Sequence, residues 1–364
     1  MFEKYPFEKL NELLKDITPK TEKRYILTIG EPQFETPEFI RTSLCEYSKL
    51  LNKYPKTAGE EALKQSQRDF VKRRFGVNIN ENQLLPTFGT RELLFNFPLF
   101  LKPKKMAFPN PFYQIYEGAA IASGSKINYL NLTSQNGFIP QISQLDGDEE
   151  LIILNSPNNP TASVMDLETL SEWVRYALKN DTVILSDECY SELYFDQKPP
   201  SILEACKNVG NYEFKNVLAI NSISKRSSAP GLRSGFIAGD ADILDKYLQF
   251  RTYVGCASPL PLQLAAAKAW AEDSHVAKFR EEYKKNFEIA KEVLNITPPS
   301  ATFYIWLEVG DDIEFTKRAW EKGVKVMPGR FMGRNKAGEG FVRIALVYSS
   351  GEIKKALEII KEIL

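Results

Sequence analysis

Ser222-Ile223-Ser224-Lys225, followed by Pro230-Gly231-Leu232-Arg233-Ser234-Gly235, decides how this chain reads. The run comes directly after residues 216–221, an apolar, strand-like stretch. A lysine, two hydroxyls and an arginine therefore stand at the exit of a buried strand, where open α/β sheets hold their ligands. A lysine amine can condense with an aldehyde, while Ser222 and Arg233 can bind a phosphate on the same molecule. The competing reading is a surface loop with ordinary charges.

A second stretch weighs against the plain loop. In Thr182-Val183-Ile184-Leu185-Ser186-Asp187-Glu188-Cys189-Tyr190, a β-branched run ends in a carboxylate and, three residues later, a phenol. Asp187 at a strand end could pair with a pyridine nitrogen, and Tyr190 could hydrogen-bond a phenolate oxygen. Taken alone, an aspartate there is more often a turn former or helix cap. Its coincidence with Lys225 points to pyridoxal 5'-phosphate (PLP), which joins an aldehyde, a phosphate and a pyridine ring in one molecule.

With these residues in view, the chain resembles a fold-type I PLP enzyme of the class I/II aminotransferase family, over nearly its whole length. The family's ordered set appears as Gly30 in Ile29-Gly30-Glu31-Pro32, Tyr54, Gly89-Thr90, Tyr113 in Pro111-Phe112-Tyr113, Asn159 in Ser156-Pro157-Asn158-Asn159-Pro160-Thr161, Asp187, Tyr190, Lys225, Arg233 and Arg343. One departure is visible, Ala162 after Thr161, where relatives usually carry glycine. The resemblance implies ping-pong transfer of an amino group between an amino acid and the 2-oxoglutarate/glutamate pair. Residues 29–37 and 88–95 look most like the branch of bacterial N-succinyldiaminopimelate aminotransferases, with aspartate aminotransferases as runner-up. A PLP-dependent lyase acting on cysteine conjugates would share the same cofactor site.

The ends of the site follow from ordinary forces and from the resemblance together. Gly89-Thr90 opens a helix, and helix N-termini offer free N–H groups and partial positive charge to a phosphate. Tyr113 is either a platform for the pyridine face or an ordinary core aromatic. Tyr54 resembles the family's phosphate-contacting tyrosine donated by a neighbouring subunit, which implies a homodimer. Arg343, in a strand-like run, would be costly to bury unpaired. In the family it grips the substrate α-carboxylate with help from backbone near Gly30; an internal salt bridge is the alternative. Arg91 occupies a place where one subgroup keeps a basic residue for a distal carboxylate, though it also reads as a solvent-facing helix residue.

Composition excludes several classes. The 364 residues carry 47 basic and 47 acidic side chains, so no long-range field attracts nucleic acid or an anionic membrane. The apolar cluster 93–101 is broken by Asn96 and Pro98 and is far short of a membrane span. Without an export signal at the start, the cytoplasm is the expected compartment. Cysteines 45, 189, 206 and 256 show no paired spacing, and His275 is the single histidine. A zinc site or a Cys-His or Ser-His centre is therefore not expected. His275 reads as an exposed helix-start residue and Cys189 as a small buried one, which leaves Lys225 as the proton carrier.

Strand-like runs alternate with helical periodicity between about residues 82 and 272, which argues for an α/β fold with a mostly parallel sheet covered by helices. Strands are expected at 104–108, 126–130, 151–155, 182–186, 217–221 and 234–238. Beyond Pro261 come helices at 262–270 and 276–294, then strands at 303–309, 324–327 and 341–346 and a helix over 351–364. The resemblance implies a seven-stranded sheet, a large PLP-binding domain over 46–274 and a smaller α+β domain built from 1–45 and 275–364.

Overall fold

The computed structural model describes residues 2–364. Twelve strands occur in chain order: β1 (Tyr25–Ile26), β2 (Leu84–Thr87), β3 (Lys105–Asn110), β4 (Lys126–Asn131), β5 (Leu151–Asn155), β6 (Val183–Asp187), β7 (Val217–Ser222), β8 (Gly235–Gly239), β9 (Tyr304–Glu308), β10 (Val324–Lys325), β11 (Met327–Pro328) and β12 (Phe341–Ala345). Seven form one sheet in the order β2-β8-β7-β6-β5-β3-β4. All neighbours are parallel except β8, which runs antiparallel to both β2 and β7. This is the seven-stranded, mostly parallel sheet that the resemblance implied.

The central strands β5, β6 and β7 are buried at every position. That is why they read as continuous apolar runs: helices cover both faces of the sheet. Their register sets Asn155 beside Asp187 and Asp187 beside Ile220, two residues before the end of β7. Asn155, Asp187 and Ser222 are thus the last residues of three adjacent strands, and polar side chains collect at one edge of an otherwise apolar sheet.

A large core surrounds this sheet and takes in Ile40 from the helix Glu38–Tyr47 and Trp270 from the helix Leu260–Ala271. A second core gathers Leu27, Phe287, Ile305, Val342 and Leu357 around the three-stranded sheet β11-β12-β9. The helix Ser274–Leu294 and the two-stranded pair β1-β10 belong to this smaller body.

Three expectations need correction. β2 was not foreseen, because Pro86 lies within it; it is an edge strand, where a missing N–H is tolerated. The run 324–327 is divided between β10 and β11, which join different sheets. His275 is buried, not exposed, because the first turn of its helix packs against the loop after Lys225.

Candidate active site

A cleft of about 440 Å³ opens at the carboxyl ends of β5, β6 and β7. Its walls hold Gly30, Thr90, Arg91, Tyr113, Asn159, Asp187, Tyr190, Ser222, Lys225, Arg233 and Arg343. Residues chosen from seven separate stretches of sequence therefore meet in one place. Gly89 supports the wall from behind, while Tyr54 is fully exposed and lies outside the cleft of its own chain.

Lys225 belongs to a short helix, Ile223–Arg226, that β7 runs straight into; Ser222 caps it by accepting from Ser224 N at 3.1 Å. The Lys225 stem opens to the cleft while Nζ donates to Gly30 O. Burial pushes its pKa down to about 8, and Arg343 and Arg233 push the same way. A lysine so placed is partly neutral near neutral pH, the state that attacks carbonyls and accepts protons.

Asp187 is fixed at the end of β6: Tyr116 Oη donates to its Oδ2 at 2.7 Å and Cys189 N to its Oδ1 at 3.2 Å. Burial raises its pKa, against those two donors, and among the described residues it has no cationic partner. A ligand cation is what would hold it ionised. Tyr190 Oη lies 2.9 Å from Tyr304 Oη, and Cys189 is partly exposed to the cleft instead of buried, with Sγ 3.2 Å from Thr90 Oγ1.

The end of the cleft expected to take a phosphate is made by a close approach. Arg233 adopts a left-handed backbone (φ 52°), donates through Nη1 to Pro230 O at 2.8 Å, and lies against Gly89. Gly89 itself has φ +70°, and a Cβ there would come within 2.2 Å of Arg233 Nη2. A side chain at Gly89 would have to displace the guanidinium from the start of the helix Gly89–Leu101 and would be strained at this left-handed angle; the free N–H groups of that helix start could receive an anion.

Opposite, Arg343 on β12 is buried among neutral groups. Nη1 donates to Asn159 Oδ1 and Nη2 to Thr28 O, both at 2.6 Å, while buried Nε has no partner. Among the described residues no carboxylate pairs with it, so the internal salt bridge is absent. Arg91 lies at the cleft mouth, where Nε donates to Tyr113 Oη at 2.9 Å and Nη2 to Tyr5 Oη at 3.3 Å. Tyr113 is thus engaged by its hydroxyl, at a wall and not in the core.

This geometry has counterparts among known proteins. The sequence model of the family "Aminotransferase class I and II" matches residues 23–360. The chain belongs to that family. It is 31% identical to the LL-diaminopimelate aminotransferase of Natranaerobius thermophilus, over 98% of this chain and 96% of that protein. Among solved structures, the aminotransferase AspB of Helicobacter pylori 26695 is 48% identical with a TM-score of 0.96, covering 100% of this chain and 98% of that one. An aminotransferase of Neisseria meningitidis Z2491 is 39% identical with a TM-score of 0.95, covering 99% and 97%.

Class I and II aminotransferases use PLP, and the donor set here fits it: an amine of low pKa, a buried carboxylate lacking a cation, and a glycine-made cradle beside an arginine. The aminotransferase cleft also contains residues that sequence reasoning missed. Tyr116, Tyr304 and Tyr5 enter it from elements without any local signal, and Tyr5 precedes the stretch that the family model matches. Among the described residues, no helix is long and apolar enough to cross a membrane.

Proposed function

We propose that this aminotransferase moves an amino group between the glutamate/2-oxoglutarate pair and N-succinyl-LL-2,6-diaminopimelate, a precursor in lysine and cell-wall synthesis. One observation carries the choice. The cleft walls bring Arg91, Arg233, Arg343 and Lys225 together with a single carboxylate, Asp187, which lies at the inner end. Glutamate and the succinylated substrate both present a second anionic group. Free diaminopimelate presents a distal ammonium as well, for which the walls offer no carboxylate.

PLP, when bound, supplies an aldehyde that takes up the amino group and a ring that withdraws electrons from the breaking Cα–H bond. Gly89, Thr90, Ser222 and Arg233 would hold its phosphate; Asp187 would keep its ring nitrogen protonated, and Tyr190, Asn159 and Tyr113 would bind and orient the ring. Arg343 takes the substrate α-carboxylate in a bidentate pair, with Asn159 and the backbone near Gly30 beside it. Lys225 Nζ takes the Cα proton. Arg91, held by Tyr113 and Tyr5, receives the distal carboxylate. Tyr54, fully exposed, completes the phosphate site of a second copy in a homodimer. Four unpaired cysteines accord with a reducing compartment, and we take the cytoplasm as its place.

A second reading, LL-diaminopimelate itself as donor, draws support from the activity for which the Natranaerobius thermophilus relative is named. Aspartate is the third. The test is a panel of N-succinyl-LL-diaminopimelate, LL-diaminopimelate and aspartate against 2-oxoglutarate with the PLP-loaded protein. The highest kcat/KM is expected for the succinylated donor; a higher value for LL-diaminopimelate or aspartate replaces the proposal with that reading. Pyruvate and ammonia from a cysteine conjugate without any acceptor would mark a lyase.

A further inference from the structure

The short helix that carries Lys225 and the turn that follows it are fastened on two sides. Arg226 donates to Ala269 O at 2.8 Å and to Asp273 Oδ1 at 2.6 Å. Ser227 Oγ lies 2.9 Å from His275 Nε2, and His275 Nδ1 meets the Glu272 carboxylate. On the other side, Thr36 Oγ1 donates to Ser228 O at 2.6 Å, and Lys225 Nζ reaches Gly30 O. The chain passes from the small-sheet core to the large-sheet core after Leu27 and back after Trp270. The lysine loop is therefore tied to both crossings.

Serine, histidine and glutamate in a row suggest a hydrolytic relay, but Ser227 has no exposed surface and could not receive a substrate. The arrangement has a different use. With Glu272 accepting from Nδ1–H, neutral His275 presents Nε2 as acceptor to the Ser227 hydroxyl. Burial lowers the His275 pKa, and Arg226 acts in the same direction, while Glu272 and Asp273 oppose them. The rings of Phe39 and Phe279 close the remaining sides, and Arg73 pairs with Asp273 and donates to Trp270 O instead of meeting the imidazole.

We infer that His275 is a positioning residue for Lys225: through Ser227 it keeps the 225–228 loop seated between the two crossings, and so keeps Nζ in its water-poor place. The low pKa of Lys225 comes mainly from that burial. Loosening the seat admits water and returns the amine toward its ordinary, charged state.

The test uses the full chain stripped of PLP, and follows recapture of PLP by absorbance across pH, because only the neutral amine condenses with the aldehyde. Ser227→Ala and His275→Leu should each move the recapture midpoint upward; a shift from about 8 to about 9 cuts the neutral amine at pH 7.5 roughly eightfold. His275→Gln, whose amide oxygen can still accept from Ser227, should stay near the parent. The double variant Ser227→Ala/His275→Leu should be no worse than the worse single one. Thermal unfolding of the same samples separates this from loss of folded protein. Unmoved midpoints in both single variants, additive losses in the double one, or His275→Gln as impaired as His275→Leu would each overturn the inference. It rests on Lys225 being the reactive amine, which borohydride labelling checks separately: a label on another lysine ends that reading, whereas a label on Lys225 with unmoved midpoints ends this one alone.

Discussion

Arg343 Nη1 donates to Asn159 Oδ1 at 2.6 Å, which joins β12 of the small sheet to the turn that follows β5 of the large one. A buried guanidinium held by an amide and a carbonyl keeps its charge without neutralising it. Such a charge is costly until an anion arrives, and binding energy is thereby concentrated on a carboxylate. Arg343→Leu is expected to lose about 2–4 kcal/mol of this, on the order of a hundredfold in kcat/KM for every amino donor, mainly through KM. Arg343→Lys should fall between, since an ammonium lacks the fork. Steady-state kinetics with glutamate decide it, and an unchanged KM in Arg343→Leu would remove the role.

Lys225→Ala should still bind PLP through the phosphate contacts but lose transfer by several orders of magnitude, because attachment and proton transfer are removed together. In the parent protein, borohydride should attach the cofactor to one peptide, the one containing Lys225. A variant with near-parent turnover would refute the assignment.

Arg91 is exposed at the cleft mouth, so solvent screens part of its attraction. Arg91→Leu should cost about 1.5–3 kcal/mol with 2-oxoglutarate, roughly ten- to a hundredfold in kcat/KM, and little with pyruvate or 2-oxobutyrate. Tyr5→Phe, which removes one of the two hydroxyls holding Arg91, should show a smaller loss in the same direction. If both classes of acceptor fall together, Arg91 is a phosphate-side helix residue and the distal group is held elsewhere.

Gly89→Ala places a Cβ where Arg233 now lies, at a backbone angle that alone costs about 1–2 kcal/mol for an L-residue. PLP should bind at least tenfold more weakly, read from its dissociation constant. Gly124→Ala is the control: it shares the left-handed angle (φ +77°) but has nothing within 4 Å, so it should lower stability and leave PLP affinity unchanged. Equal PLP affinity in Gly89→Ala and parent would mean that the cradle adapts.

The single histidine makes one titration unambiguous. His275 has its folded pKa below the ordinary value of about 6.5, so its contribution to stability is complete above that pH and is lost as pH falls through the folded pKa. Its imidazole signal in NMR should titrate below that of a model peptide, and His275→Gln should flatten the decline in stability on the acid side. A midpoint at or above 6.5 would contradict the burial that the fold implies.

What could be read in the sequence was whatever sits at the exit of a strand. Asp187 and Lys225 declare themselves because an apolar run stops abruptly at a charged group, and Gly89 because a helix begins where a glycine stands. Tyr5, Tyr116 and Tyr304 carry no such local mark; only the packing of distant elements turns their hydroxyls toward Arg91, Asp187 and Tyr190. His275 was misread for a similar reason. Its neighbours Glu272, Asp273 and Ser274 look like a solvated helix start, and two of them are instead partners of the histidine and of Arg226. Arg343 was legible as a costly buried charge, but its neutral partners were not.

The contact between Arg343 and Thr28 O spans nearly the whole chain, and Lys225 is bound to Gly30, two residues further on. During synthesis every strand of the large sheet is made before β12 exists. The nascent chain can thus complete its main core and its phosphate cradle while half of the substrate grip is still missing. Cofactor captured early would meet a lysine still open to water, and the cleft closes only once β12 pairs with β9 and meets the backbone of residues 27–28. Assembly of activity is in this sense an all-at-once, late event in the life of the molecule.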